Sequence, residues 1–158
     1  MTWGNPPKLE PTKPKQGKVI KPEDLAGKSE GSQQKALMVW AALNVDTYPQ
    51  LKWLVHIPNG GTRNIREAVE LKAQGVKAGV PDLMLPYAVR KRDYQGFGED
   101  FKYGYHGCFL EMKVKPNKPS QEQIEWLHNL LENGYYCKVC YSWTEARDTL
   151  IAYLEGKL

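Results

Sequence analysis

The stretch GVPDLMLP, residues 79–86, sets an acid directly behind a proline and then runs apolar. Further along, CFLEMKV (108–114) interrupts a second apolar run with Glu111 and Lys113. Both segments read as short core strands, rich in Leu, Met, Val and Phe. Side chains alternate along a strand, so Glu111 and Lys113 share one face while Leu110 and Met112 enter the core from the other. The apolar residues around them predict a mostly covered strand, where a charge is costly unless it is paired or bound to a cation. Pro81 biases Val80 to an extended backbone and leads the chain into the strand at Asp82. If the two segments pair as antiparallel neighbours, Asp82 comes close to Glu111, and Lys113 sits one pleat further along. Two carboxylates converging beside an ammonium make a hard-oxygen site for a divalent cation such as Mg2+. Taken singly, each residue also has a plainer reading: Asp82 as a turn former, and Glu111 with Lys113 as an exposed pair worth little.

Working outward, the periodicities predict the order α–β–α–β–β–α–β–α, a mixed α/β single domain. A helix of about 14 residues over SEGSQQKALMVWAAL opens it, capped by Ser29 or Ser32. LKWLVHI (51–57) reads as a strand ended by Pro58, and NGGTRN as a loop using glycine at positive φ. NIREAVELKAQG reads as a helix closed by Gly75, and SQEQIEWLHNLLENG as one capped at both ends. Within it, Trp126, Leu127, Leu130 and Leu131 form a core stripe. YYCKVCYS is a strand and TEARDTLIAYLEG a last helix. Residues 87–107, polar, aromatic and glycine-rich, form an insertion between the two charged strands. Residues 1–28 hold five prolines and six lysines against three acids, and read as a flexible basic arm ahead of a domain spanning 29–158.

A chain of 158 residues buries one respectable core. The net charge of +4 is compatible with a polyanionic partner without demanding one. No apolar run approaches a membrane span and no secretory signal is visible, so the expectation is a cytoplasmic protein, in a host cytoplasm if phage-encoded. Cys137 and Cys140 form a CxxC, but a spacing of three along a strand points them to opposite faces and no second pair completes four ligands. His56, His106 and His128 are too separated for a zinc motif, and no glycine-rich loop suggests a nucleotide cofactor. Arg90, Lys91 and Arg92, interleaved with Tyr87, Tyr94, Phe97, Tyr103 and Tyr105, are what a nucleic-acid contact uses; packing of the aromatics on the domain is the equal alternative.

Pro81-Asp82…Glu111-Met112-Lys113 resembles the core of the PD-(D/E)XK nuclease superfamily. IPNGGTRN, AVELKAQGVKAGVPDLMLP, GCFLEMKV and PSQEQIEWLHNLLENGYYCKVCYSWTEA, in that order, resemble the stand-alone VRR-NUC nucleases of phages and bacteria. The resemblance implies a restriction-endonuclease-like fold with a mixed central sheet between helices. It implies that Asp82, Glu111, Glu30 and the main-chain carbonyl of Met112 hold Mg2+, with Mn2+ as substitute, and that Lys113 is catalytic. Gln123 falls where the superfamily has a helix glutamine near the site; it is equally the third helical residue of a capping box with Ser120. Glu30 is equally a helix N-terminal acid favoured by the macrodipole. Asn59 and Arg63 match the family's loop signature, with Arg63 as a phosphate contact, and Lys115 and Lys118 join Arg90, Lys91 and Arg92 as candidate DNA contacts. The implied activity is metal-dependent hydrolysis of DNA by a homodimer selective for branched substrates such as four-way junctions. A nicking, flap or exonuclease of the same fold is the nearest alternative, and a non-catalytic DNA-binding module the alternative of another class.

Overall fold

The computed structural model describes residues 19–58, 65–90 and 103–158. A short helix α1 (Pro22–Leu25) precedes α2 (Glu30–Leu43), a 3-10 turn (Pro49–Trp53) and strand β1 (Val55–His56). Then come α3 (Ile65–Ala73), β2 (Leu83–Leu85), β3 (Val89–Arg90), β4 (Tyr103–Tyr105), β5 (Cys108–Met112), α4 (Gln121–Glu132), β6 (Tyr136–Cys140) and α5 (Trp143–Leu154). Four strands form one mixed sheet in the order β1-β2-β5-β6, antiparallel except for the β5–β6 pair. The crossover from β5 to β6 runs through α4, as parallel neighbours require. β3 and β4 pair separately as a hairpin in the connection between β2 and β5.

The alternation anticipated for β5 holds, with one addition. Cys108, Leu110 and Met112 join Leu83 and Leu85 in a core with Ala36, Leu37, Trp40 and Ala41 of α2 and Ala146, Leu150 and Tyr153 of α5. The opposite face of β5 is covered as well: every residue of the strand is buried, and Lys113 beyond it is only 7% exposed. α4 packs beside β6 and buries Leu127 and Leu130, while Phe109 stacks edge-on against Tyr135. Leu131 departs from the expected stripe and is exposed, while Leu127 and Leu130 are buried.

Two further expectations change. Of the strand read over 51–57, only Val55 and His56 pair with the sheet. Pro49 starts a 3-10 turn instead, and Leu51 and Leu54, three residues apart, both turn inward as that period requires. Packed structure also begins before residue 29. Within the segment read as a 1–28 arm, α1 folds against α2, with Pro22 buried and Leu25 and Ala26 against the core. Gln33 ties these pieces together, donating to the Gly27 carbonyl at 2.6 Å and accepting from the Trp143 amide at 2.8 Å.

In the insertion, Tyr105 packs edge-on against Tyr136, and the Tyr153 hydroxyl donates to the Tyr87 carbonyl at 2.6 Å. That fastens the root of the hairpin to α5. Among the described residues no helix is long and apolar enough to cross a membrane.

Candidate active site

The pairing of β2 with β5 sets Leu83 opposite Leu110, so the residue before one and the residue after the other, Asp82 and Glu111, meet at the end of the ladder. Asp82 is fixed there: its Oδ2 accepts from the Met112 amide at 2.9 Å. Its main-chain carbonyl accepts from the Ile57 amide at 2.7 Å and lies 3.0 Å from His56 Nδ1. A carbonyl can only accept, so that nitrogen carries the proton and the ring's tautomer follows.

Glu111 is fully buried. Its Oε1 accepts from Lys113 Nζ and from Gln123 Nε2, each at 2.5 Å. Its Oε2 is buried and has no hydrogen-bond partner. The neighbouring Lys113 is held at the main chain, where its amide donates to the Cys140 carbonyl at 2.9 Å, and its Nζ lies 3.6 Å from Glu30 Oε2. Glu30 opens α2, and its Oε1 accepts from Asn117 Nδ2 at 3.0 Å, across 87 residues of chain.

Gln123 both caps α4 and reaches Glu111. Its Oε1 accepts from the Ser120 amide at 2.9 Å and the Ser120 hydroxyl accepts from its amide at 3.3 Å, closing a capping box. Its Nε2 then remains free to donate to Glu111. The loop ahead of Asp82 brings α4 to this spot. Gly79 adopts a φ of 82°, and a Cβ there would fall 2.6 Å from the Glu122 main chain. Trp126 Nε1 donates to the Ala78 carbonyl at 2.9 Å, so the loop lies flat on the first turns of α4. Only glycine permits that approach and that backbone.

The electrostatics follow from burial. Removal from water pushes Glu111 up to about 7, and Asp82 and Glu30 push the same way against the Lys113 hydrogen bond. Asp82 is also raised, chiefly by burial, against the Met112 amide and Lys113. Burial works to lower Lys113, but Glu111, Glu30 and Asp82 outweigh it and hold the ammonium above its usual range. Three carboxylates thus face one ammonium, with one buried carboxylate oxygen unpartnered. That is a donor set a divalent cation fits: hard oxygens, excess negative charge and an orphaned acceptor. Among the described residues, no three acids, histidines or cysteines stand together as a complete ligand cluster. Asp82 and Glu111 form the inner pair, and Glu30 stands at the rim on Lys113 and Asn117.

Sequence reasoning missed Asn117 and the His56 contact. Asn117 lies between Lys115 and Lys118, both exposed in the loop after β5, and a lone Asn between prolines looks like a turn residue. Of the other candidates, Arg90 belongs to β3, and Asn59, Arg63, Lys91 and Arg92 lie outside the described residues. Cys137 and Cys140 carry free thiols raised by burial to about 12 and about 11, which makes them poor nucleophiles and poor ligands.

Comparison with known proteins agrees with this architecture. A solved structure titled "VRR_NUC domain protein" superposes with a TM-score of 0.62, over 82% of this chain and 90% of that one, at 24% identity. No curated protein matches the chain. The model of the VRR-NUC domain matches residues 23–143, a span that starts inside α1 and takes in Asp82, Glu111, Lys113 and Gln123. The chain therefore belongs to the VRR-NUC domain family, a family of nucleases acting on DNA.

Proposed function

We propose that this chain is a divalent-metal-dependent DNA endonuclease that hydrolyses phosphodiester bonds at branched DNA, with four-way junctions the preferred substrate, as a homodimer. One observation carries the metal dependence: a fully buried Glu111 whose Oε2 has no partner, set beside Asp82. Asp82, Glu111 and the Met112 carbonyl would hold Mg2+, or Mn2+ in its place, with Glu30 at the rim. Such an ion, when bound, neutralises charge growing on the phosphate and lowers the pKa of water.

The chain's own groups do the rest. Lys113, anchored by Glu111 through its side chain and by Cys140 through its amide, places a buried positive charge beside the carboxylates. There it orients the attacking water and stabilises the charge on the five-coordinate phosphoryl group of the transition state. The water oxygen forms a bond to phosphorus as its proton passes to solvent, and the bond to the leaving sugar oxygen breaks as that oxygen takes up a proton from solvent to leave as the alcohol. Gln123 holds Glu111 Oε1, so the carboxylate presents its other oxygen. Lys115 and Lys118, exposed on the loop that follows, would contact the phosphate backbone. Two such sites related by a two-fold axis match the pseudo-symmetry of a four-way junction and allow two coordinated nicks.

The test is incubation of labelled four-way junctions, flaps and plain duplex with Mg2+ and with EDTA, using the parent chain and Asp82→Asn. Cleavage is expected only with the metal and only in the parent, fastest on the junction. Removing Asp82's charge is expected to slow it by roughly 10²–10³-fold, as for loss of one electrostatic stabiliser in an active site. Equal rates on all three substrates overturn junction preference alone; full activity of the Asn variant overturns the site.

A further inference from the structure

We infer that Asn117 is a positioning residue, which holds Glu30 at the metal site as its third carboxylate; the inference rests on the reading of Asp82 and Glu111 as metal ligands. Glu30 is the first residue of α2, and its side chain is 35% exposed, enough room for a glutamate to turn away into solvent. Two groups prevent this. Lys113 Nζ faces Oε2 at 3.6 Å, and Asn117 Nδ2 donates to Oε1 at 3.0 Å.

Asn117 is itself set by the loop that leaves β5. Its amide donates to the Val114 carbonyl at 2.9 Å, closing a turn, and Pro116 and Pro119 flank it. A carboxylate only accepts, so the amide NH2, not the carbonyl, faces Glu30. The chemistry of the donor matters. A neutral amide fixes a carboxylate without adding a second positive charge beside Lys113, which would compete further with a cation. The amide also engages one oxygen only, which leaves Oε2 facing Lys113. The exposed loop that carries Lys115 and Lys118 thereby also sets the third acid.

The test is Mn2+ binding without DNA, followed by the signal of free Mn2+. It compares the parent, Asp82→Asn, Glu30→Gln, Asn117→Ala and the Glu30→Gln/Asn117→Ala pair, each checked for an unchanged melting profile in EDTA. Outer partners of metal ligands commonly contribute 10–100-fold to affinity, so Asn117→Ala is expected to weaken binding about tenfold or more. In the Glu30→Gln background the same change is expected to do nothing further, because its effect runs through that carboxylate. Affinity unchanged or tighter in Asn117→Ala overturns the inference, as does an equal loss in both backgrounds or a melting profile altered in proportion to the loss. Parent-like binding by Asp82→Asn, or no binding by the parent, overturns the metal site itself.

Discussion

Raising the pH of the metal-free protein should destabilise it through Glu111. The unfolded chain releases that proton near the ordinary glutamic acid value, 4.5, whereas the folded chain keeps it up to about 7. Folding therefore takes up a proton between those values. The stability this contributes is fully present below pH 4.5 and lost as pH rises through about 7. At 1.36 kcal/mol per unit, the loss over that window is about 3 kcal/mol. For a domain of this size it amounts to roughly 6–12 °C in melting temperature. Asp82 is raised too and acts in the same direction. The assay is thermal or urea unfolding in EDTA between pH 4.5 and 8, comparing the parent with Glu111→Gln. The amide cannot titrate, and whatever it costs Lys113 to lose its partner is a constant offset, since the ammonium stays charged throughout. The gap between the two proteins should therefore shift by about 3 kcal/mol in favour of the variant across the window. Adding Mg2+ or Mn2+ at pH 7.5 should recover stability in the parent alone, by mass action on the folded state. A gap that stays constant with pH refutes the argument, and means the site relaxes or hydrates around the charged carboxylate.

Gln123→Glu separates the two duties of that side chain: a carboxylate oxygen still accepts from the Ser120 amide, but a second charge replaces the donor to Glu111. Helix stability should hold to within about 1 kcal/mol while cleavage falls sharply; equal loss in Gln123→Ala and no loss in the Glu variant would falsify the division. Gly79→Ala forces a β-carbon onto the Glu122 main chain at a φ of 82°. It should cost at least about 2 kcal/mol, read as a lower melting temperature together with reduced cleavage. Lys115→Ala and Lys118→Ala should weaken DNA binding evenly across sequences, each lowering the slope of log affinity against log salt by about one. An unchanged slope removes that lysine from the phosphate path.

The inner pair was legible because it rests on short-range rules. Alternation along CFLEMKV placed Glu111 and Lys113 on one face, and Pro81 placed Asp82 at a strand entry; the β2–β5 register then brought them together as expected. The burial of both faces of β5 was less legible, since it depends on where α4 lands, and that landing depends on Gly79. Gln123 looked like a choice between a cap and a site residue. The side chain has a separate acceptor and donor, so one end closes the cap while the other reaches Glu111. The 3-10 turn at Pro49–Trp53 was hidden because Leu51 and Leu54 suit a strand's composition while their spacing suits a threefold helix. α1 was hidden by its proline and lysine surroundings, although four residues suffice once Pro22 and Leu25 find the core. Asn117 had no local signal at all. Its role exists only when residue 30 is brought to it from the far side of the molecule.

That last contact belongs to a wider pattern. The Glu30–Asn117 bond spans 87 residues, and the Asp82–Met112 bond 30. Lys113 is anchored to the carbonyl of Cys140, on a strand reached only after α4 is in place. No single element of the chain contains the site. While the chain emerges from the ribosome, or after a partial unfolding that releases β6, Lys113 lacks its main-chain anchor. A site built in this way is complete only once β6 pairs with β5, so loosening that pair should unmake the site.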